Sequence, residues 1–325
     1  MKSRSAFTIL RLAASITLLW VVLRYVDLEP VLQAVRRADL RMVLLGIGTF
    51  LVSFAVFAKR LQALLRITGQ HVPYLRLLGI NFVGAFFSLL LPTTVGGDVA
   101  RVYKLSRRAT VGSHGLTCIL VDRILGLSTL LLMAIVALVL GRSVVPESEL
   151  MVVSAIGLGL LVGGLLLLVG LSRIQIRAPD PEAEKPESWR ARLQSVQESF
   201  LTLTSDPTRL SGAMLLSILG QIISVYSVSV LAEALGIDIP TGLFFIVVPV
   251  VWLVVSVPIT IGGLGARESA YILLLGRLGI ASAPAVALSL LIYSCYLVCG
   301  FIGATGMMLG AILGTREHPD PVGHV

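Results

Sequence analysis

The sequence predicts an all-α polytopic membrane protein with about eight transmembrane helices, plus two broken or re-entrant glycine-rich segments that form an internal repeat. Three observations predict it. Hydrophobic residues make up 56% of the 325 and charged ones 14%, and the mean hydropathy of +0.94 exceeds what a soluble domain of this length carries. Charges are also unevenly spread: no Asp, Glu, Lys or Arg occurs in 42–58, 77–97, 124–141, 150–172, 210–232, 239–266 or 278–315. A helix rises about 1.5 Å per residue and the hydrocarbon layer is about 30 Å thick, so most of these runs span it or nearly do. The third observation is a ten-residue pattern that occurs twice.

Helices are expected near 7–25, 40–58, 75–91, 116–140, 150–172, 209–235, 242–257 and 284–313. The first of them follows Lys2 and Arg4, as a secretory signal peptide would. Arg24 closes its apolar run and no clean small-residue cleavage site follows, so it reads as a retained anchor. Between the fifth and sixth helices lies a polar stretch, 173–207, that opens with the Pro- and Glu-rich run 179–187 and cannot bury a core. Within it Trp189, Leu193, Val196, Phe200 and Leu203 recur at intervals of three and four. That spacing suits an amphipathic helix on the membrane surface, or one docked on the bundle. The chain reads as one integral membrane domain over 1–325, with half one about 7–140, half two about 150–313 and a polar tail, 314–325.

Cys118, Cys295 and Cys299 fall in apolar runs, without disulfide or metal spacing, and the four histidines are scattered; no metal or cofactor is expected. The formal charge is +8 and 22 of the 26 basic residues are Arg. On a membrane protein that excess reports loop orientation and phospholipid headgroups, not nucleic acid. No GxxxxGK[ST], HExxH or GxSxG motif occurs, which argues against ATP-driven pumping by this chain and against hydrolase chemistry. Gly159/Gly163 and Gly306/Gly310 have the spacing of close helix contacts.

The repeated pattern pairs Pro92-Thr93-Thr94-Val95-Gly96-Gly97-Asp98-Val99-Ala100-Arg101 with Pro258-Ile259-Thr260-Ile261-Gly262-Gly263-Leu264-Gly265-Ala266-Arg267, identical at six of ten positions. Each copy follows a long uncharged run and precedes a tyrosine, Tyr103 or Tyr271. Proline removes a backbone donor and a glycine pair releases the helix, so each copy is expected to unwind at membrane depth, where its peptide groups must line protein or water. A helix restarting after Gly97 or Gly263 would aim its positive dipole end, with Arg101 or Arg267, into the bundle and make a site for an anion such as a lipid phosphate. Duplicated halves with broken helices are one way to build a midplane site.

Orientation follows from the loop charges. Eight crossings with the amino terminus inside would place the arginines of 173–207 outside, against the positive-inside tendency. Counting 95–113 and 262–280 as returning crossings places Lys104, Arg107, Arg108 and the long loop inside, with Glu147, Glu149, Glu233 and Asp238 outside. The echoed segments then enter from opposite faces, and this reading is preferred over two non-crossing hairpins. It suits the plasma (inner) membrane of a bacterial-type cell.

Asp98, Arg101, Asp122, Arg123, Arg267 and Glu268 lie in or against apolar segments. Each would cost about 2.5–3.5 kcal/mol at the centre of a lone helix, so they are paired, in a wet cavity, or at the interface. Asp122 and Arg123 also fit a helix start near headgroups. Gln221, Tyr226 and Tyr293 could line a cavity or bond helix to helix.

Gly96-Gly97-Asp98-Val99-Ala100-Arg101, Asp122-Arg123 and Gly262-Gly263-Leu264-Gly265-Ala266-Arg267-Glu268 together resemble the lysylphosphatidylglycerol synthase transmembrane (flippase-like, UPF0104) family, over about residues 10–312. The resemblance implies translocation of a phospholipid or lipid-linked intermediate between leaflets. It implies as substrate-binding positions Pro92, Gly96, Gly97, Asp98, Arg101, Asp122, Arg123, Pro258, Gly262, Gly263, Arg267 and Glu268. No aminoacyl-transfer domain follows the membrane part, so synthesis of lysylphosphatidylglycerol by this chain is not expected. The partner expected is a membrane lipid: an anionic or aminoacylated phospholipid, or a polyprenyl phosphate. A homo-oligomer stays open. Two other classes compete: an integral-membrane lipid-modifying transferase with Asp98 or Glu268 as base, and an accessory subunit of a membrane complex.

Overall fold

The computed structural model describes residues 17, 24, 26–90, 96–106, 114–140, eight separate positions between 151 and 170, and then 198–203, 205–257, 260 and 262–312. The expected helices 7–25 and 150–172 lie mostly outside the described residues, as do Pro92 and Pro258.

Nine helices are assigned along the described chain. They are α1 Leu28–Arg37, α2 Leu40–Ile67, α3 Tyr74–Leu90, α4 Gly96–Ser106, α5 His114–Leu140, α6 Pro207–Ala234, α7 Thr241–Ser256, α8 Ala266–Gly276 and α9 Ser282–Ile312. By length and composition α2, α5, α6 and α9 can cross a membrane, while α3 and α7 are apolar but shorter. α4 and α8 have 11 residues each, about 16 Å of rise and roughly half the hydrocarbon thickness. Neither helix alone makes the returning crossing expected from the loop charges. Helix lengths recur in order: 28, 17, 11 and 27 residues for α2–α5, then 28, 16, 11 and 31 for α6–α9.

α1 was not among the expected helices. Glu29 in its first turn and Arg36 and Arg37 in its last complement the helix dipole. It buries Val31 against Val286 and Ala287 of α9, and leaves Leu28 and Leu32 exposed. α2 starts at Asp39, whose carboxylate accepts from the Arg41 N–H at 2.8 Å. It runs nine residues past the expected end because Leu61, Leu64 and Leu65 continue the apolar stripe into a core cluster. Lys59 and Arg60 are thereby carried inside the helix. At the far end of the 173–207 stretch, helical residues 198–203 dock on the bundle: Leu203 is buried and Ser199 hydrogen-bonds His114.

α2 packs along α6, α3 against α9, and α5 against α7. Glycines permit the close approaches. A Cβ at Gly46 would meet Leu231 Cδ2 at 2.6 Å, and one at Gly303 would meet the Phe82 carbonyl. Ser227 of α6 donates to the Gly46 carbonyl at 2.9 Å. The α9 contact thus runs through Gly303 and Gly300, while a Cβ at Gly306, singled out by its GxxxG spacing, would meet nothing among the described residues.

The two glycine pairs do different jobs. Gly262, Gly263 and Gly265 all have positive φ, and the chain turns there before α8. Gly96 and Gly97 are not among the positive-φ glycines and form the first residues of α4. In the second copy the glycines lie in the turn itself; in the first they lie in the opening turn of α4, and 91–95 lie outside the described residues. Gly97 is needed for proximity: a Cβ there would meet the Gly84 carbonyl and Ser88 Oγ of α3. Gly97→Ala is expected to lower stability by about 1–3 kcal/mol, because backbone must move to admit one methyl group. A melting temperature in detergent equal to that of the wild type would contradict this contact.

Candidate functional site

Five charged side chains join into one chain across three helices. Arg60 of α2 donates from Nε to Asp122 Oδ1 of α5 at 2.7 Å. Arg101 of α4 reaches Asp122 Oδ2 at 3.1 Å through Nη2 and Asp98 Oδ1 at 3.2 Å through Nη1. Arg123 then pairs with the other Asp98 oxygen. Arg60 Nη1 also donates to Ser217 Oγ of α6 at 2.8 Å, where Thr129 donates as well. Asp122 is buried two turns into α5, so it is not at a helix start. Charged groups survive at such depth only when each finds its counter-charge, and here each does.

A second cluster sits at the start of α8. Glu268 Oε1 accepts from Arg267 Nη2 at 2.8 Å and from Ser289 Oγ of α9 at 2.7 Å. Its Oε2 accepts the Gly265 N–H at 2.7 Å. Glu268 thus plays the N3 half of a capping box, while Gly265 at the N-cap has no side chain to return the bond. Arg267 donates through Nε to Ser289 at 2.8 Å and lies over the Tyr293 ring, 5.1 Å from its centroid.

Two adjoining cavities connect the clusters. The first, about 320 Å³, is lined by Gly97, Asp98, Arg101, Asp122 and Arg123, with Asn81 and Gly84 of α3. The second, about 450 Å³, is lined by Gly262, Gly263, Arg267 and Arg123, with an apolar wall that includes Phe50, Trp252 and Ile292. Phe54, Phe57, Ser88, Arg123, Gln221 and Tyr296 line both. The two glycine segments, 166 residues apart at their first glycines, therefore open on one continuous lining.

Among the expected site residues, Gly97, Asp98, Arg101, Asp122, Arg123, Gly262, Gly263 and Arg267 face these cavities, as does Gln221. Tyr293 lines the second, whereas Tyr226 lines neither and is exposed. Gly96 and Glu268 line neither, Glu268 because its oxygens are taken by Arg267, Ser289 and the α8 cap. Arg60, Ser217 and Ser289 were not singled out from the sequence. The apolar stripe that continues past Arg60 to Leu64 and Leu65 was the available signal for Arg60. Serines inside apolar helices are too frequent to signal anything alone.

The comparisons with known proteins agree on one family. A family model described as lysylphosphatidylglycerol synthase TM region matches residues 8–303. A UPF0104 membrane protein of Pyrococcus horikoshii is 24% identical over 303 residues, covering 85% of this chain and 89% of that protein. No solved structure matches. With apolar spanning helices, charged clusters from both glycine segments and a match over most of its length, this multi-pass membrane protein belongs to the lysylphosphatidylglycerol synthase TM region (UPF0104) family.

Proposed function

We propose that this protein binds the phosphate-bearing headgroup of a membrane lipid in the joined cavities and carries it between the leaflets. The observation that carries the reading is the shared lining of the two cavities: guanidinium groups from both glycine segments face adjoining spaces inside a bundle of apolar helices. A headgroup crossing hydrocarbon loses its water, and a row of fixed charges and hydroxyls is what can replace it. Cavity-facing Gly97, Asp98, Arg101, Asp122, Arg123, Gly262, Gly263 and Arg267 form the proposed headgroup site, with Glu268 holding Arg267. The apolar wall of the second cavity, Phe50, Trp252 and Ile292, suits an acyl or prenyl chain.

The repeat is part of the proposal. Helix lengths recur in order through α2–α5 and α6–α9, and the pairings are reciprocal: the second helix of each set packs on the fourth of the other, and the two first helices pack together. That is the pattern of two equivalent units related by a pseudo-two-fold axis, an arrangement that lets a site face either side. In the orientation preferred from the loop charges, the amino terminus faces the cytoplasm of a bacterial-type cell and the protein lies in the plasma membrane.

Reconstitution tests this. In vesicles carrying a headgroup-labelled anionic phospholipid in the inner leaflet, wild-type protein is expected to expose the label to an impermeant quencher faster than protein-free vesicles. Ser256→Trp, which fills the space common to both cavities, is expected to stop this without preventing insertion. A wild-type rate equal to that of empty vesicles, for both phospholipid and polyprenyl-phosphate probes, would overturn the proposal.

A further inference from the structure

We infer that Asn81 is a specificity-determining residue of the headgroup site, that it reads a hydroxyl together with Arg101 Nε, and that the first cavity takes a polyol headgroup. The inference rests on the lipid-binding reading above and names the class of lipid. Asn81 is the only side-chain amide in the uncharged run 77–97. An amide inside an apolar helix ordinarily bonds to a neighbouring helix, because hydrocarbon offers it nothing. Asn81 does not. It lines the first cavity, it is 7% exposed, and its Oδ1 is buried with no hydrogen-bond partner among the described residues. A buried acceptor without a bond is a standing cost, and a ligand that donates to it removes that cost.

Arg101 supplies the complementary half. Its stem lies against Gly84, one turn along α3 from Asn81, where a Cβ would meet Arg101 Cγ and Cδ at 2.8 Å. Nη1 and Nη2 are taken by Asp98 and Asp122, which fixes the plane of the guanidinium. The third nitrogen, Nε, is buried and has no acceptor among the described residues. It cannot turn to find one without breaking an ion pair. The cavity thus holds, along one stretch of α3, an acceptor and a donor that lack bonds. Hydroxyls do both jobs: those of a polyol accept from Arg101 Nε and donate to Asn81. An ammonium headgroup donates to Asn81 but gives Arg101 nothing to donate to, and its charge opposes the guanidinium. Ser88, two turns along α3 from Asn81, lines both cavities, so one helix face leads from their junction to the amide.

Titration calorimetry of the full chain tests this in a polyoxyethylene detergent, which brings no sugar hydroxyls. The probes are dihexanoyl phosphatidylglycerol, dihexanoyl phosphatidylmethanol, which has the same charge but no headgroup hydroxyl, dihexanoyl phosphatidylethanolamine, and glycerophosphoglycerol, which has no acyl chains. Phosphatidylglycerol is expected to bind the wild type about tenfold more tightly than phosphatidylmethanol or phosphatidylethanolamine, the worth of one or two hydrogen bonds. Asn81→Leu is expected to erase that preference while leaving phosphatidylmethanol within about twofold, and to melt at or above the wild-type temperature, since it removes an unpaired buried polar group. If Asn81→Leu keeps the preference for phosphatidylglycerol, this inference falls while the lipid reading stands. Equal loss of every probe with a lower midpoint would make Asn81 a packing residue and overturn it as well. Should Asn81→Leu not fold, the binding of Asn81→Ala decides in the same way. Phosphatidylmethanol or phosphatidylethanolamine binding the wild type as tightly as phosphatidylglycerol would overturn the hydroxyl assignment. Glycerophosphoglycerol binding as tightly as phosphatidylglycerol, and weakened by Asn81→Leu, would assign the hydroxyl site to free phosphodiesters and overturn the lipid reading. If the wild type binds none of the probes, both readings fail together.

Discussion

Asp122→Ala is expected to leave little folded protein. The substitution removes the carboxylate that faces both Arg60 and Arg101, taking from Arg60 its carboxylate partner and leaving Arg101 with Asp98 in a bundle of apolar helices. Stranding a buried partner costs about 3–5 kcal/mol, a large share of the roughly 5–15 kcal/mol that holds a typical fold together. Ser217 cannot compensate, since it already accepts from Arg60 and Thr129. The readout is the fraction remaining monodisperse after heating in detergent, with the midpoint expected to fall by about 10 °C or to vanish from the accessible range. Arg60→Met combined with Asp122→Leu is the control: removing both charges at once is expected to recover part of the loss, because a packed apolar pair carries no desolvation penalty. A midpoint for Asp122→Ala within a degree or two of wild type would mean that the ionic chain contributes nothing, and that water reaches Arg60 and Arg101 freely.

How much of this was legible in the sequence depends on which physical signal each element left. Long uncharged runs report spanning helices directly, since hydrocarbon selects against charge along the whole length; α2, α5, α6 and α9 were visible for that reason. The same criterion hid two features. α1 carries Glu29, Arg36 and Arg37, so it vanished from a search for uncharged runs although its apolar face packs on α9. Arg60 stands just past the end of one run, outside the expected helix 40–58, and is a buried member of the ionic chain. Charge inside a membrane protein is informative only with its partner, and Arg60 and Asp122 are 62 positions apart.

The two copies of the glycine pattern share letters but differ in mechanics. Identical letters were expected to do identical work; instead Gly262, Gly263 and Gly265 bend the chain through positive φ, whereas Gly97 lets α4 lie against the backbone of α3. Both are uses of a missing Cβ, one conformational and one steric, and a string of residues does not distinguish them. Cavity lining was equally out of reach. Ser88, Ser256 and Tyr296 bridge the two halves only because α3, α7 and α9 converge on one space.

Glu268→Ala provides the second large effect, and it separates two roles that the carboxylate combines. One oxygen neutralises Arg267 with help from Ser289, and the other closes the first turn of α8 on the Gly265 N–H. Alanine removes both: Arg267 is left charged with only a serine oxygen and the Tyr293 ring, and a buried backbone donor loses its acceptor. The expected loss is about 3–5 kcal/mol for the unpaired charge, with about 1 kcal/mol more for the cap. Glu268→Gln keeps an amide oxygen able to accept from Gly265 or from Arg267 but gives up the charge, so it is expected to fall between alanine and wild type in thermal midpoint. Arg267→Met with Glu268→Gln isolates the cap, since no charge then remains to be paired, and is expected to restore much of the midpoint. If Glu268→Gln proves as damaging as Glu268→Ala, the ion pair accounts for the whole effect and the helix start is held by its backbone alone. If all three variants melt with the wild type, Arg267 is solvated from the cavity side and its pairing with Glu268 is incidental.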